Sequence, residues 1–181
     1  MKPIWTYPLT WCAVVVAASV LAIAAPRETG VMGRLPNVVG QTIDQRPAVV
    51  KHGGERILAL ITFNRGQRKD AESWISGLQL QHDQSIAWIR MPVVNDSGDP
   101  ARRAVAEGRL MAHYASPQER ANLLPVFVDR DTFAQSAGLL DTDSAYVLVI
   151  NRNGDVFARV AGKFDEDKAQ SLRETLRASH L

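Results

Sequence analysis

Residues 145–176 read AYVLVINRNGDVFARVAGKFDEDKAQSLRETL, and this stretch decides the fold class. Its two apolar runs, Ala145–Ile150 and Val156–Ala161, are separated by Asn151–Gly154, where Asn and Gly adopt positive φ at low cost. The pattern therefore predicts a β-hairpin. Asp165 is then expected to cap a closing helix that is acidic in its first turn and basic at its end, as the helix dipole favours. Apolar residues at helical spacing are expected to face the sheet: Ala169, Leu172 and Leu176.

Upstream of the hairpin, strand and helix patterns alternate. Ile57–Phe63 is a continuous apolar run rich in branched residues, which predicts a central strand buried on both faces. Ile86–Val94 predicts a second strand, and Pro125–Val128 a short edge strand that opens on proline. Between the first two strands, an apolar spacing of i, i+3, i+4 and i+7 predicts a helix laid against the sheet. Its inward residues are Ala71, Trp74, Ile75 and Leu78.

Two further helices are expected to begin at aspartates. Asp99 followed by Pro100 predicts an N-cap and a first-turn proline, whose missing N–H costs nothing at that position. Asp131 is expected to cap a short helix that Gly138 closes. The longer of the two helices is expected to bury a stripe of small and apolar residues: Ala101, Ala104, Val105, Gly108, Met111 and Ala115.

Composition excludes several classes of function. The chain has 181 residues and a net charge of +2, so it offers no excess positive charge for coating nucleic acid. Its one cysteine is Cys12, which lies within residues 1–24, interpreted below as an N-terminal leader. Without the leader the chain has no thiol, which excludes a disulfide framework, a thiolate zinc site, an Fe–S cluster and a cysteine nucleophile.

The sequence indicates no catalytic residue, metal or cofactor. Its four histidines are scattered, and none has another ligand at a metal-binding spacing. Hydrolase, Walker and dinucleotide-binding motifs are absent from the sequence.

The first residues form a leader. Residues 1–24 carry one charge, Lys2, then an apolar run, and Ala22 and Ala24 fit the spacing of small residues that signal peptidase requires. We interpret them as a signal peptide, which predicts an extracytoplasmic, periplasmic protein. The alternative is an uncleaved anchor that tethers the protein to the inner membrane. Residues 25–54 are rich in turn residues and predict an extended lead-in with a short strand at Ala48–Val50, and residues 55–181 form one domain.

The order of these elements resembles the thioredoxin-like fold, with one strand and one helix inserted in the middle. Residues 145–176 are similar to the hairpin and last helix of the thioredoxin-like proteins related to peroxiredoxins and periplasmic thiol reductases, with Gly154 and Gly162 in the glycine positions. Residues 127–139, FVDRDTFAQSAGL, are similar to the segment just upstream in those proteins. The resemblance covers about residues 35–176. It implies a three-layer α/β fold: a mixed central sheet with helices on both faces and a C-terminal hairpin plus helix.

The departures from this family concern its redox site. Redox members carry cysteine between the first long strand and its helix, where the helix N-terminus lowers the thiol pKa. The corresponding stretch here, Asn64–Asp70, contains no sulfur, and Asp141–Ala145 lacks the proline that those proteins place before the hairpin. The resemblance therefore implies a redox-inactive member that is neither a thiol oxidoreductase nor a peroxidase.

A narrower resemblance concerns residues 59–78, ALITFNRGQRKDAESWISGL. Together with the later segments they are similar to cysteine-free thioredoxin-like proteins of the mitochondrial ATP-synthase assembly-factor type and their bacterial relatives. This resemblance implies that the fold serves as a protein-binding platform, in an assembly or chaperone-like role.

The candidate partner-binding residues lie on two loops that this fold brings to one end of the sheet, beyond the carboxyl ends of the strands. They are Asn64, Arg65, Gln67, Arg68 and Lys69 on the first loop, with Asp143 and Ser144 on the second. The alternative for the basic residues is a solvated loop whose charges Asp70 and Glu72 offset. Two other functions stay open at this point, an enzyme of unknown reaction and a small-ligand carrier, each using the loop after the first strand.

Overall fold

A computed structural model describes residues 30–36 and 56–178. The strands in this part of the chain are β1 (Gly33–Arg34), β2 (Arg56–Thr62), β3 (Trp88–Val94), β4 (Val126–Phe127), β5 (Tyr146–Asn151) and β6 (Asp155–Ala161). The helices are α1 (Arg68–Gly77), α2 (Pro100–His113), α3 (Pro117–Ala121), α4 (Arg130–Ser136) and α5 (Glu166–Arg177), and a short 3-10 turn, Arg65–Gln67, precedes α1. The predicted leader and the predicted strand Ala48–Val50 lie outside the described residues.

The strands form one mixed sheet in the order β1-β6-β5-β2-β3-β4. Strand β2 is central: it pairs in parallel with β3 and antiparallel with β5. Its side chains alternate between two hydrophobic clusters, with Ile57, Ala59 and Ile61 in one and Leu58 and Leu60 in the other. The predicted strand buried on both faces is confirmed.

Helices cover both faces of this sheet. Phe133 and Ala134 of α4 pack in the first cluster, whereas Trp74 and Ile75 of α1 pack in the second together with Leu172 of α5. This arrangement confirms the three-layer α/β fold.

Among the described residues, no helix has both the length and the apolar character needed to cross a membrane.

The hairpin and the closing helix form as the sequence predicts. Gly154 has a φ of +81°, and Asn151 Oδ1 accepts hydrogen bonds from the backbone N–H groups of Asn153 and Asp155, both at 2.9 Å. Asp165 caps α5 by accepting from the backbone N–H groups of Asp167 and Lys168. The indole of Trp74 donates to the carbonyl of Gly162 at 2.8 Å, which joins α1 to the end of β6.

Strand β1 was not predicted. Met32 and Leu35 donate their backbone N–H groups to the carbonyls of Val156 and Gly154, both at 2.8 Å, so this part of the lead-in extends the sheet. Gly33 permits the close approach, since a Cβ there would lie 2.5 Å from the carbonyl carbon of Ala137. A strand of two residues is too short to produce an alternating pattern in the sequence.

The predicted cap of the helix before the hairpin was wrong. Asp129, and not Asp131, is the N-cap of α4, because it has an extended backbone and its Oδ1 accepts from the backbone N–H and hydroxyl of Thr132 at 2.8 and 2.7 Å. Asp131 lies in the first turn, where its charge suits the helix dipole.

The predicted buried stripe of α2 was also wrong. No residue of α2 is buried, and Val105 is 52% exposed. The helix is held at its ends instead: Arg103 pairs with Asp96 and lies over the Phe127 ring, and Tyr114, the C-cap, is buried. The stripe consists largely of alanine and glycine, which offer little apolar area to bury.

The predicted N-cap of α2 is confirmed, because Asp99 accepts a hydrogen bond from Ala101 N–H at 2.9 Å.

Gly77 in α1 and Gly108 in α2 test whether the glycine face of each helix is packed against the rest of the protein. A Cβ at Gly108 in α2 would meet nothing within 4 Å, so Gly108→Ala should raise the free energy of unfolding by up to about 1 kcal/mol through helix propensity. A Cβ at Gly77 in α1 would lie 2.5 Å from the Phe164 ring, so Gly77→Ala should lower it by about 1–3 kcal/mol. Urea unfolding measures both. A stability loss at Gly108 would show that this face of α2 is packed.

Candidate functional site

The two loops singled out in the sequence meet at one end of the sheet. Because Ile61 near the end of β2 pairs with Tyr146 at the start of β5, the chain leaving β2 lies beside the chain entering β5. Gln67 Nε2 donates to the carbonyl of Thr142 at 2.8 Å and joins the two loops directly. This end of the sheet is the position at which the resemblance places the thiols of redox members.

A capping box shapes the first loop. Asn64 has an extended backbone, and its Oδ1 accepts from Gly66 N–H at 2.9 Å and from Gln67 N–H at 3.2 Å. In return, Gln67 Oε1 accepts from Phe63 N–H at 2.6 Å and from Asn64 N–H at 3.4 Å. These bonds satisfy backbone donors that the start of a helix leaves unpaired.

Gln67 therefore has a different role from the one expected. It was predicted on the partner-binding surface, but it is only 4% exposed, and both ends of its side-chain amide bond to backbone groups inside the protein. It positions the two loops and does not itself face a partner. The spacing Asn64-x-x-Gln67 is a capping-box signal, and reading it as such would have found this role in the sequence.

The second loop is organised around Asp141. Its Oδ1 accepts from the backbone N–H groups of Asp143 and Ser144 at 3.0 and 3.1 Å, and its own N–H donates to the Tyr146 hydroxyl oxygen at 3.3 Å. Burial raises the pKa of Tyr146, so the phenol stays protonated at neutral pH. Asp143 is exposed and Ser144 partly exposed at this surface, and the preceding Leu140 is 83% exposed.

The basic residues of the first loop have no ion-pair partner among the described residues. Arg65 and Lys69 are exposed and Arg68 is half-buried, and none lies within 4.0 Å of a carboxylate in that part of the chain. Glu72, which the alternative of a solvated loop set against them together with Asp70, makes a bidentate ion pair with the buried Arg90 of β3. The positive charge at the start of α1 is therefore not cancelled by Glu72.

Residues from the end of α2 complete this surface, and sequence reasoning missed them. The guanidinium carbons of Arg68 and Arg90 lie 5.4 and 5.3 Å from the centre of the Tyr114 ring, within the range of cation–π attraction. Partial burial, and then the charge of the nearby Arg68, hold the pKa of His113 below its ordinary value, while Glu119 acts in the opposite direction. No local sequence pattern predicts the contacts of Arg68 and Arg90 with Tyr114, because the three residues are distant from one another along the chain.

The described residues contain no group of three or more His, Cys, Asp or Glu side chains placed to hold a metal ion. Cys12, the one cysteine of the chain, lies outside the described residues. What the site offers is cations and hydrogen-bonding groups on loops that buried hydrogen bonds hold in place.

No protein-family model and no curated protein matches the chain. Among solved structures, a putative electron transport protein from Aquifex aeolicus VF5 is similar at 10% identity with a TM-score of 0.51, over 83% of this chain and 98% of that one. The N-terminal domain of PilB from Neisseria gonorrhoeae is 20% identical with a TM-score of 0.49, over 75% of this chain and 86% of that one. The exposed lipoprotein thioredoxin of Streptococcus pneumoniae strain TIGR4 is 11% identical with a TM-score of 0.49, over 75% and 96%.

The fold of this protein is thioredoxin-like. With Cys12 as its single cysteine, the chain has this fold without an active-site cysteine pair. The narrower resemblance to ATP-synthase assembly factors finds no support in these comparisons.

The role of Gln67 can be tested by Gln67→Leu, which keeps the side chain's size and removes its hydrogen bonds. We expect the free energy of unfolding to fall by about 1–3 kcal/mol, because the buried Phe63 N–H is left without its acceptor. Backbone amide resonances of residues 141–144 should shift as well. Gln135→Leu, at an exposed position of α4, is the matched control and should change stability by less than about 0.5 kcal/mol. Equal effects from the two variants would contradict the positioning role.

Proposed function

We propose that this protein is an exported, redox-inactive thioredoxin-like domain that binds another protein in an assembly or chaperone-like role. The proposed contact area, here called the loop surface, consists of Asn64, Arg65, Arg68, Lys69, Leu140, Asp143 and Ser144. Gln67 supports this surface from beneath.

One observation carries the proposal: cations stand at the start of α1 without a carboxylate partner in the described residues. Arg68 and Lys69 are the first two residues of α1, where the positive end of the helix dipole makes cations unfavourable. Side chains that lower stability at a position, and that the fold does not neutralise, are expected where a bound partner supplies the opposite charge. Acidic groups on the partner would do this.

Two further features favour a protein as the partner. The loops are held by buried hydrogen bonds of Gln67 and by the Asp141 turn, so the surface is ordered before binding and loses little entropy on association. Leu140 adds an exposed apolar side chain to it, which a protein can cover with apolar groups of its own.

Export and the absence of redox activity rest on the sequence. The small residues Ala22 and Ala24 at the end of an apolar run support cleavage of residues 1–24, which places the mature protein outside the cytoplasm, in the periplasm of a bacterium with two membranes. Because the removed segment contains Cys12, the mature chain would have no thiol with which to reduce a disulfide or a peroxide.

The binding surface is tested by Arg65→Ala/Lys69→Ala, which removes the two exposed cations and leaves the Arg68 contact with Tyr114 in place. A partner is first captured from envelope fractions with the wild-type protein, and its affinity is then measured with purified components. We expect the double variant to bind at least tenfold more weakly, about 1.4 kcal/mol. Its stability should change by less than about 0.5 kcal/mol, since both side chains are exposed.

Arg152→Glu is the charge-matched control, since it lowers the net charge of the protein by the same two units as the double variant. Arg152 is exposed in the hairpin turn, at the opposite end of β5 from the loop surface and about 20 Å away at the rise of a β-strand. Its affinity for the partner should equal that of the wild type. A folded double variant that binds with unchanged affinity, or the recovery of no stoichiometric partner, would contradict the proposal.

Export and redox inactivity share one experiment. The protein purified from the envelope of expressing cells should have an intact mass that begins after Ala24 or Ala25, no thiol that reacts with Ellman reagent, and no reduction of insulin disulfides. A product that still begins at Met1 and sediments with membranes would establish the anchored form instead. Insulin reduction above a buffer blank, in the cleaved protein, would overturn the redox-inactive assignment.

A further inference from the structure

We propose that Arg68 and His113 beside the Tyr114 ring, together with Arg65, form a site, here called the Tyr114 cluster, that receives the carboxylate of an acidic side chain on a peptide segment of the partner. The proposal rests on the protein-binding function above and adds to it the chemistry of the group that is bound. It also extends the contact area from the loops to the end of α2.

Separate elements bring three arginines and a histidine to this region. Arg68 comes from α1, Arg90 from β3 and His113 from the end of α2, and Arg65 of the 3-10 turn is near enough for its charge to act on His113. The guanidinium carbons of Arg68 and Arg90 lie 5.4 and 5.3 Å from the centre of the Tyr114 ring. The rings of His113 and Tyr114 meet edge to face, with 4.9 Å between their centroids.

The nearby carboxylates offset only part of this charge. Glu72 is occupied by Arg90, and Glu119 is bound by the hydroxyl and backbone N–H of Ser116 in a capping box. Three guanidinium groups thus face two carboxylates. Within the described residues, Nε of the buried Arg90 also has no hydrogen-bond acceptor. A positive potential therefore remains at the exposed side of the cluster, where an anion can enter.

The surroundings favour a carboxylate on a peptide over a polyanion. Arginine presents paired N–H donors that match the two oxygens of a carboxylate. The second loop carries the exposed carboxylates of Asp141 and Asp143, and the exposed apolar side chain of Leu140 precedes them. A chain of phosphates laid across this surface would meet those carboxylates and repel them, whereas a peptide can place one acidic side chain at the cluster and an apolar one against Leu140.

His113 makes the site dependent on pH. Arg65, Arg68 and Arg90 face it and favour its neutral form, Glu119 favours its charged form, and the result of burial and these charges is a pKa below the ordinary value. As pH falls through that pKa, protonation adds a positive charge, while the glutamates of a peptide, whose pKa is about 4.3, are still largely ionised at pH 5.5. Binding should therefore strengthen as pH falls from 7 to 5.5. By linkage, a bound carboxylate should raise the pKa of His113.

The test uses a blocked hexapeptide of alternating glutamate and leucine as the probe, with its glutamine counterpart as the control ligand. NMR titration of the full mature chain follows the His113 ring protons and gives both the affinity and the His113 pKa. We expect the glutamate peptide to bind at least fivefold more tightly than the glutamine peptide, to raise the His113 pKa, and to bind more tightly at pH 5.5 than at pH 7. His113→Asn should abolish the pH dependence and keep the preference for glutamate.

Variants test whether the binding of the glutamate peptide depends on the Tyr114 cluster. Arg65→Gln, at an exposed position, should reduce the affinity for the glutamate peptide at least threefold, and Arg68→Gln should do the same in a protein shown to be folded by its unfolding transition. Arg152→Gln, at the far end of the sheet, should leave it unchanged. Equal binding of the two peptides, an equal loss with Arg152→Gln, or inorganic phosphate that competes at the same concentration as the glutamate peptide would each overturn the inference.

The outcomes also separate this inference from the proposed function. The peptide titration needs no native partner, so a partner that depends on Arg65 and Lys69 while the glutamate peptide fails to bind would overturn the Tyr114 cluster alone. Specific binding of the glutamate peptide with no protein partner recovered from the envelope would support the cluster and contradict the assignment as a protein-binding domain.

Discussion

The side-chain amide of Gln67 holds together the part of the molecule on which the proposed function depends. Strand β2 is buried on both faces, so the chain that leaves it at Phe63 still lies inside the protein, and the Phe63 N–H needs an acceptor there. The Gln67 oxygen provides it at 2.6 Å, and the Gln67 nitrogen donates to Thr142 on the neighbouring loop. One buried residue thereby ends the central strand, starts the first helix and fixes the loop before the hairpin, which leaves the outer side chains of both loops available to a partner.

The charges at the start of α1 are opposite to those that thiol chemistry uses. A helix N-terminus stabilises a thiolate because the helix dipole is positive there, so the site gains from an anion on the chain itself. Here Arg68 and Lys69 occupy the first residues of α1, and Glu72 is engaged by Arg90. Arg68 and Lys69 thus add positive charge at this helix start, where Asp70 is the one carboxylate of the first turn. A site of this kind suits an anion that another molecule supplies, which is why we propose binding and not redox chemistry for it.

The parts of the fold that the sequence predicted are those in which one residue pattern has a single physical solution. The continuous apolar run of β2 requires burial on both faces, the Asn151–Gly154 turn requires positive φ, and Asp165 is a strong N-cap before an amphipathic helix. The failures arose where small residues carried the pattern. The alanine and glycine stripe of α2 has helical spacing but too little area to fix a face, and β1 is set by a close approach at Gly33 that only the folded chain creates. The meeting of the two candidate loops followed from the predicted topology, whereas the part played by His113, Tyr114 and Arg90 depended on tertiary contacts with no counterpart in local sequence.

Helix α2 buries none of its own side chains in the core, and the way in which it is held links it to the site. Its residues bury no side chain, so its position depends on its two ends, with Arg103 against Asp96 and Phe127 at one and Tyr114 at the other. Tyr114 is at the same time the ring on which Arg68 and Arg90 converge. The contact that anchors the end of α2 is therefore also the contact that brings the two arginines together. A helix held in this way adds His113 to the surface without taking part in the sheet or its two cores, and so the chemistry of this end of the fold can differ from that of a thiol enzyme while the architecture stays the same.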